Sequence, residues 1–558
     1  MSPIMKYSLL LLIALALFGL PDRAVADYLG GITFDHAMGS YLPNGEYVTL
    51  SIDYKIDEAS GGRIFILPFT NGAWTPNYAV SGSPIYGPGT GTCTPHMTIT
   101  SGSVVIDHVR VKLVSPDQSE TWLEFFLPVS FIYGPNGVYD PTPSHSKYSR
   151  LRHGQQFSVS FDYACSDAAG CYAFARPYTN GHLTPGYSAS GSALLPPSGS
   201  ATQSFSFAND ADVDHIWFYL RDHTNTTILF ECFVAYDLHW RAIGVYDISF
   251  NWDRLSSLHN TQNLVATFTL DHTEPAGLRA WAWCTTDGYY SPGGVYEGSI
   301  LEPSGAHVIT RYSRIDSGET DVDGVEFIVG TPTEAYLDFI VPVDYHYAPH
   351  AMQNHQFSPA APAMLSNGEH LNMQFDYVTS SVDPVLIFAR PAYEENPLFG
   401  ITSSGSPHYS PPSGSGTFWL TFASGDYLAN SMRFQMVDMS QTILHLERFV
   451  PGLWAWGGST YISPVPEAIP AAVTSLGPAY PNPFNPVATI PVSLAADMAV
   501  RLAVYDLRGR LVRTLQDGVL TAGDHAFRFN GEGLASGTYF CRLETPAGVQ
   551  TKRMTLVK

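Results

Sequence analysis

The chain has 558 residues, more than one hydrophobic core organises, which points to about four or five domains. Charged residues make up 14% and aromatics 13%, with 48 glycines and 41 prolines, a balance that favours strands and turns over helices. The net charge of -22 argues against a nucleic-acid partner, because phosphate binding needs a basic surface.

At the N-terminus, Lys6 precedes the unbroken apolar run Leu9 to Phe18, Pro21 breaks it, and Ala24-Val25-Ala26 is a small-residue cleavage pattern. These features predict a signal peptide over 1–26, cleaved near Ala26, with Asp27 as the mature N-terminus; the competing reading is a short membrane anchor. The run is too short to span a bilayer as a mature helix, and no later stretch is long enough, so no transmembrane helix is expected in the mature chain.

Downstream, one pattern recurs. Val48-Thr-Leu-Ser-Ile52-Asp-Tyr54 is echoed by Phe157-Ser-Val-Ser-Phe161-Asp-Tyr163, by Leu264-Val-Ala-Thr-Phe268-Thr-Leu270 and by Leu371-Asn-Met-Gln-Phe375-Asp-Tyr377. A turn led by Leu42, Leu151, Leu258 or Leu365 precedes each. A Gly-Ser pair follows at Gly82, Gly191, Gly298 and Gly405. A closing strand carries an acid at one position: Glu124, Glu231, Asp338 and Glu447. A period near one hundred residues, with alternating strands and frequent turn signals, is that of a whole sandwich domain rather than a solenoid unit. The expected class is therefore all-β, with four tandem antiparallel β-sandwich repeats, immunoglobulin-like or jelly-roll-like. They are expected over 27–138, 139–245, 246–350 and 351–460, followed by a Pro/Ala-rich linker over 461–478.

Chemistry is sparse. No nucleophile elbow, zinc-binding helix or phosphate loop occurs, so the chain is read as non-enzymatic, with no catalytic, metal or cofactor residues. Asp321-Val-Asp323-Gly324 resembles the start of a Ca²⁺ loop but lacks the later ligands, and reads as turn chemistry. The acid repeated in four copies reads as an outward strand residue or a structural ion pair, since one active site does not need four. Cys165 and Cys171 flank a short polar segment read as a hairpin tip, where a disulfide can staple them; the other four cysteines read as buried hydrophobes. Trp281 and Trp283, with Tyr289 and Tyr290, admit two readings: ligand-facing aromatics that stack on a sugar, or sandwich packing.

From residue 476 the style changes. Between Tyr480 and Lys558 there are nine Lys/Arg and six Asp/Glu, leaving the rest of the chain at -25. The segment opens on Tyr480, Pro481, Asn482, Pro483, Phe484, Asn485 and Pro486, continues through Val504-Tyr-Asp-Leu-Arg-Gly-Arg510 and Leu534-Ala-Ser-Gly-Thr-Tyr539, and ends Lys552-Arg-Met-Thr-Leu-Val-Lys558. In these motifs residues 479–558 resemble the flagellar hook-cap (FlgD-like) immunoglobulin domain and the related type IX secretion C-terminal sorting domains. One departure is Phe529-Asn530-Gly531, where the family carries Trp-Asp-Gly. The resemblance implies an Ig-like sandwich, a partnership with bacterial outer-membrane secretion machinery, and a secreted or cell-surface product. Together these readings predict a surface-displayed structural or adhesive protein whose tandem sandwiches act as a spacer, with an extracellular glycan or protein as ligand. The alternative is a glycan-binding protein built of tandem carbohydrate-binding modules.

Overall fold

The computed structural model describes residues 27–252 and 256–457, and beyond them 461–462, 475–476, 487–494, 498–506, 510–520, 523–531, 533–545 and 548–556. The expected signal peptide, most of the expected linker and the Tyr480–Pro486 opening lie outside the described residues. All the regular structure described is strand. No helix among the described residues is long and apolar enough to cross a membrane.

Alternation of apolar and polar residues selects the strands and aims them. In the first unit, β1 (Tyr28–Phe34), β2 (Ser40–Pro43), β3 (Val48–Ile56), β4 (Arg63–Thr70), β5 (Ala73–Trp74), β6 (Tyr78–Val80), β7 (Gly89–Cys93), β8 (His96–Ile99), β9 (Val104–Val114) and β10 (Thr121–Gly134) follow in order. One sheet pairs β1-β3-β8-β6, with β7 also on β3; the other pairs β2-β10-β9-β4-β5. This is the strand arrangement of an immunoglobulin sandwich, in which the chain enters on one sheet and β2 switches to the other, where it runs parallel to β10. The same pairing occurs three more times, over 137–241, 244–348 and 350–456. Opening strands at Gly137–Pro143 and Gly244–Phe250 begin two residues before the boundaries expected from the sequence, and that at His350–Ser358 begins one before.

The recurring residues sit at equivalent places. Ile52, Phe161, Phe268 and Phe375 lie between the sheets, as do Leu42, Leu151, Leu258 and Leu365. Burying each such side chain contributes roughly 1.5–3 kcal/mol. The serine of each Gly-Ser pair makes one and the same hydrogen bond. Ser83, Ser192, Ser299 and Ser406 accept through Oγ from the backbone N–H of Ile64, Ala173, Ala280 and Ile387, at 2.9, 3.1, 2.9 and 2.8 Å.

Cys165 and Cys171 depart from expectation. They flank a crossing from one sheet to the other, since Phe157–Ala164 pairs with Ser198–Phe207 whereas Cys171–Thr179 pairs with Ala211–Asp222. No disulfide joins them, and both are buried free thiols. Cys165 Sγ donates to the Asp167 carbonyl at 3.5 Å, and burial raises the Cys171 pKa. Each is a small apolar residue turned into the core, like Cys93, Cys232, Cys284 and Cys541.

The units are not strung out as a spacer. In each, the short second strand offers its free edge to the opening strand of a neighbour. Tyr41 of β2 pairs with Val138 of the second unit, and Arg150 of the second unit pairs with Val245 of the third. Between the third and fourth units the contact passes through side chains: Gln353 Nε2 donates to the Ser257 carbonyl at 2.7 Å and to Gln262 Oε1 at 2.8 Å. The second strand of the fourth unit, Ala363–Leu365, then pairs with β1 of the first, Tyr28 opposite Leu365 and Leu29 opposite Met364. Four head-to-tail junctions therefore close into a cycle, and a heterologous contact that closes does not propagate.

Equivalent residues reinforce these junctions. His36 Nδ1 meets Asp140 Oδ2 at 2.8 Å, and His145 Nδ1 meets Asp247 Oδ1 at 3.2 Å. Tyr139 donates to Glu46 Oε2 at 3.0 Å across the first junction. At the closing junction Lys55 Nζ lies 2.8 Å from Glu369 Oε2, and the Gly31 N–H donates to the Ala360 carbonyl at 2.7 Å. Asp27 is buried there, its N–H donating to Ser366 Oγ at 2.8 Å. Gly30 allows this approach, because a Cβ on it would meet Pro359 Cβ at 2.7 Å and Ala363 Cβ at 2.8 Å.

Past the fourth unit, Val487–Leu494 pairs with Ser475–Leu476 and Gly523–Asn530, while Leu511–Leu520, Met498–Asp506, Gly537–Thr545 and Gly548–Leu556 form a second sheet in that order. Their core contains Ile490, Val492, Leu502, Val504, Phe529, Cys541 and Leu543.

Gly30→Val places its branched side chain into the closing junction and is expected to cost about 1–3 kcal/mol of contact there. Small-angle scattering of the variant should show a larger radius of gyration with circular dichroism unchanged. An unchanged radius means that the first and fourth units do not depend on this approach.

Candidate functional site

The outer faces of the four units differ in chemistry while sharing one geometry. On each, three neighbouring strands present two rows of outward residues. In the first unit the rows are Leu67, Arg110, Phe126 and Phe65, Lys112, Glu124. In the second they are Arg176, Trp217, Phe233 and Phe174, Tyr219, Glu231. In the third they are Trp283, Glu326, Ile340 and Trp281, Ile328, Asp338. In the fourth they are Arg390, Arg433, Phe449 and Phe388, Gln435, Glu447.

The acid repeated in all four copies thus stands diagonally across from the central residue of the first row. Its partner changes. Arg110 forms a short ion pair with Glu124. Arg433 donates through Nε to Glu447 Oε1 at 2.6 Å, and Gln435 adds a bond at 3.1 Å. Trp217 Nε1 donates to Glu231 Oε2 at 3.0 Å. In the third unit the partner of Asp338 is a second carboxylate, Glu326. Burial, then the charge of Asp338 and a hydrogen bond to it, push the Glu326 pKa up to about 7; burial also raises that of Asp338. No cation neutralises the pair among the described residues. Arg279, on the neighbouring strand, is committed to the Ser299 carbonyl.

The aromatics singled out in the sequence surround this pair. Trp281 and Trp283 have centroids 6.3 Å apart, Trp283 meets Tyr290 edge-on at 4.6 Å, and Tyr296 closes the group 5.3 Å from Trp283. Tyr290 is hydrogen-bonded to Glu326, and burial with the two nearby acids raises its pKa. Trp283 Nε1 is buried without a hydrogen-bond partner. Tyr289 is exposed on the adjoining hairpin, opposite Thr286 in the pairing. The structure therefore brings Trp281, Trp283 and Tyr290 together and adds Glu326 and Tyr296, which sequence reasoning missed. The signal was present: aligning Asp107-His-Val-Arg110 with Asp323-Gly-Val-Glu326 shows an arginine exchanged for an acid.

Asp323 has turn chemistry. It accepts the Asp287 N–H at 2.8 Å, as Asp107 does from Asn71 and Asp214 from Asn180. Asp287, Asn71 and Asn180 all have positive φ at the same two-residue hairpin. Arg176 turns round the sheet edge to Gln203 Oε1 and the Ser190 carbonyl, both at 2.9 Å, and Arg390 lies over Phe399. A cleft of about 520 Å³ lies where the second and third units meet, lined in part by Asp210, Arg241, His272 and Glu274. Two of its charged groups are engaged elsewhere: Asp210 holds His153 at 2.7 Å and Arg241 pairs with Asp212.

Residues 478–557 match the family model of the secretion system C-terminal sorting domain. No curated protein matches the chain. Among solved structures, trypsin-activated alpha-2-macroglobulin from Escherichia coli is 10% identical with a TM-score of 0.25, covering 95% of this chain and 37% of its own. Salmonella alpha-2-macroglobulin reacted with methylamine is 10% identical with a TM-score of 0.25, covering 97% and 40%. A marsupial T cell receptor is 9% identical with a TM-score of 0.14, covering 56% and 98%. This chain spans about two fifths of the macroglobulin chains it matches. At such scores the similarity carries no inference about shared function.

The carboxylate pair makes stability fall with pH. Because Glu326 holds its proton up to about 7 in the folded state, folding takes up a proton between the ordinary glutamate range and that value. The pair's favourable contribution is present at low pH and lost as pH rises through the window. Glu326→Gln is expected to melt higher than wild type at about pH 8 and level with it only at about pH 4, below the ordinary glutamate pKa. A difference that does not vary with pH removes the shared-proton account.

Proposed function

We propose that this chain is a bacterial protein exported through its C-terminal sorting domain and presented outside the cell as a structural or adhesive head. The observation that carries the reading is the match of residues 478–557 to the sorting domain, which itself implies a secreted or surface product. The head is the closed cycle of four sandwiches, compact where tandem modules would be extended. The reading is non-catalytic: the acids repeated in every copy are tied to local partners in three of the four units. Between the units lies edge-to-edge pairing at three junctions and side-chain hydrogen bonding at the fourth, which suits a rigid platform whose outer faces differ. Tandem glycan-binding modules come second, because that reading asks the four faces for one chemistry, and their central residues are Arg110, Trp217, Glu326 and Arg433.

Deleting residues 479–558 is expected to leave the four units folded and trap them inside the cell envelope. Fractionation and surface proteolysis of cells expressing the full and truncated chains make the comparison. Normal surface delivery of the truncation rejects the reading.

A further inference from the structure

The third unit departs from its siblings in charge at one place. Counting the six outward residues, the first and fourth faces each carry two cations and one acid, the second one of each, and the third two acids and no cation. The fold shows what belongs beside such an acid. In the first unit a guanidinium, Arg110, sits on Glu124 and lies 6.0 Å from the Phe126 ring centroid. In the fourth unit a guanidinium again sits on the equivalent acid. In the third, Glu326 and Asp338 converge with no internal cation among the described residues, flanked by Ile328 and Ile340 and, on the neighbouring strand and hairpin, by Trp281, Trp283 and Tyr290.

We propose that the outer face of the third unit binds an arginine side chain of an extracellular polypeptide, its guanidinium lying between Glu326 and Asp338 against Trp283 and Tyr290. The guanidinium takes the place of the shared proton, supplying one positive charge to a pair that repels itself when both members ionise. A guanidinium fits better than an ammonium because its planar fork reaches two carboxylates and stacks on a ring face. The aromatic frame adds cation–π attraction. In the sibling units the cation on this acid is an arginine side chain of the chain itself, Arg110 or Arg433, which is why the occupant here is an arginine carried by a polypeptide. The ligand displaces the proton the two acids share, so binding is accompanied by proton release.

The proposed site deepens the reading of the chain as a surface recognition protein, and rests on it only for where the ligand is met. The purified chain tests the chemistry and the tail deletion tests delivery, so either can fail alone.

The experiment is calorimetric titration of the mature chain, residues 27–558, with an acetylated, amidated triarginine peptide at low ionic strength, beside trilysine and a neutral oligosaccharide. Wild type is expected to bind triarginine saturably, more tightly than trilysine, releasing protons in a buffer-dependent heat. Glu326→Arg installs the residue found in the first and fourth units. It should fold, fill the site itself and weaken binding by at least about tenfold. Asp338→Asn gives a second reading should that variant melt early, and should weaken binding in the same direction. Glu124→Gln, on the first unit, should bind as wild type does. The proposal is overturned by no saturable binding, by equal binding to Glu326→Arg and Asp338→Asn, or by retention of the oligosaccharide in place of the peptide.

Discussion

The whole arrangement depends on one backbone event, repeated four times: the switch of the chain from one sheet to the other after its opening strand. The switched segment is three or four residues long and pairs in parallel with the closing strand of its own unit. Its other edge is left with unpaired N–H and C=O groups, which in a sandwich must be covered, solvated or blocked. Here the opening strand of the neighbouring unit covers it, so each unit completes the one before. In three of the four junctions the result is a continuous sheet running from one sandwich into the next. The fourth strand edge is covered by the opening strand of the first unit.

Closure needs local accommodation where the two ends meet. Tyr139, Tyr246 and Gln353 occupy the equivalent of Gly30 in the other units, and Tyr139 and Gln353 reach back to Glu46 and Gln262. With glycine there, the fourth unit packs its Pro359–Ala363 segment directly on the backbone, and Glu369 finds Lys55 on a different strand instead. Equivalent junctions are thus closed by different residues, because an interface constrains shape and charge balance more than identity.

Much of the sandwich is legible in the sequence. The period near one hundred residues, the buried phenylalanines at the marker position and the Gly-Ser pairs all map to equivalent places, since local patterning decides which side of a strand is dry. The Cys165–Cys171 segment has the sequence of a hairpin tip and the structure of a crossing, because short polar loops look alike whether they return within one sheet or pass to the other; pairing partners are not encoded in the loop. At the third unit, the aromatics are visible from composition. Glu326 is not, because its significance lies in what Arg110 and Arg433 do at the same position on other strands.

By itself the sequence determined the class, the repeat and the identity of the tail. These rest on alternation, turn residues and motif order, properties of short stretches that hold whatever the units do to one another. Tertiary structure alone decided that the array closes on itself and that two acids meet beside a cluster of aromatic rings. Both are relations between residues far apart in the chain, Leu29 with Met364 in one case and Trp283 with Asp338 in the other. Such relations are set by which sheet edges remain open and which strands lie side by side, and a linear pattern specifies neither.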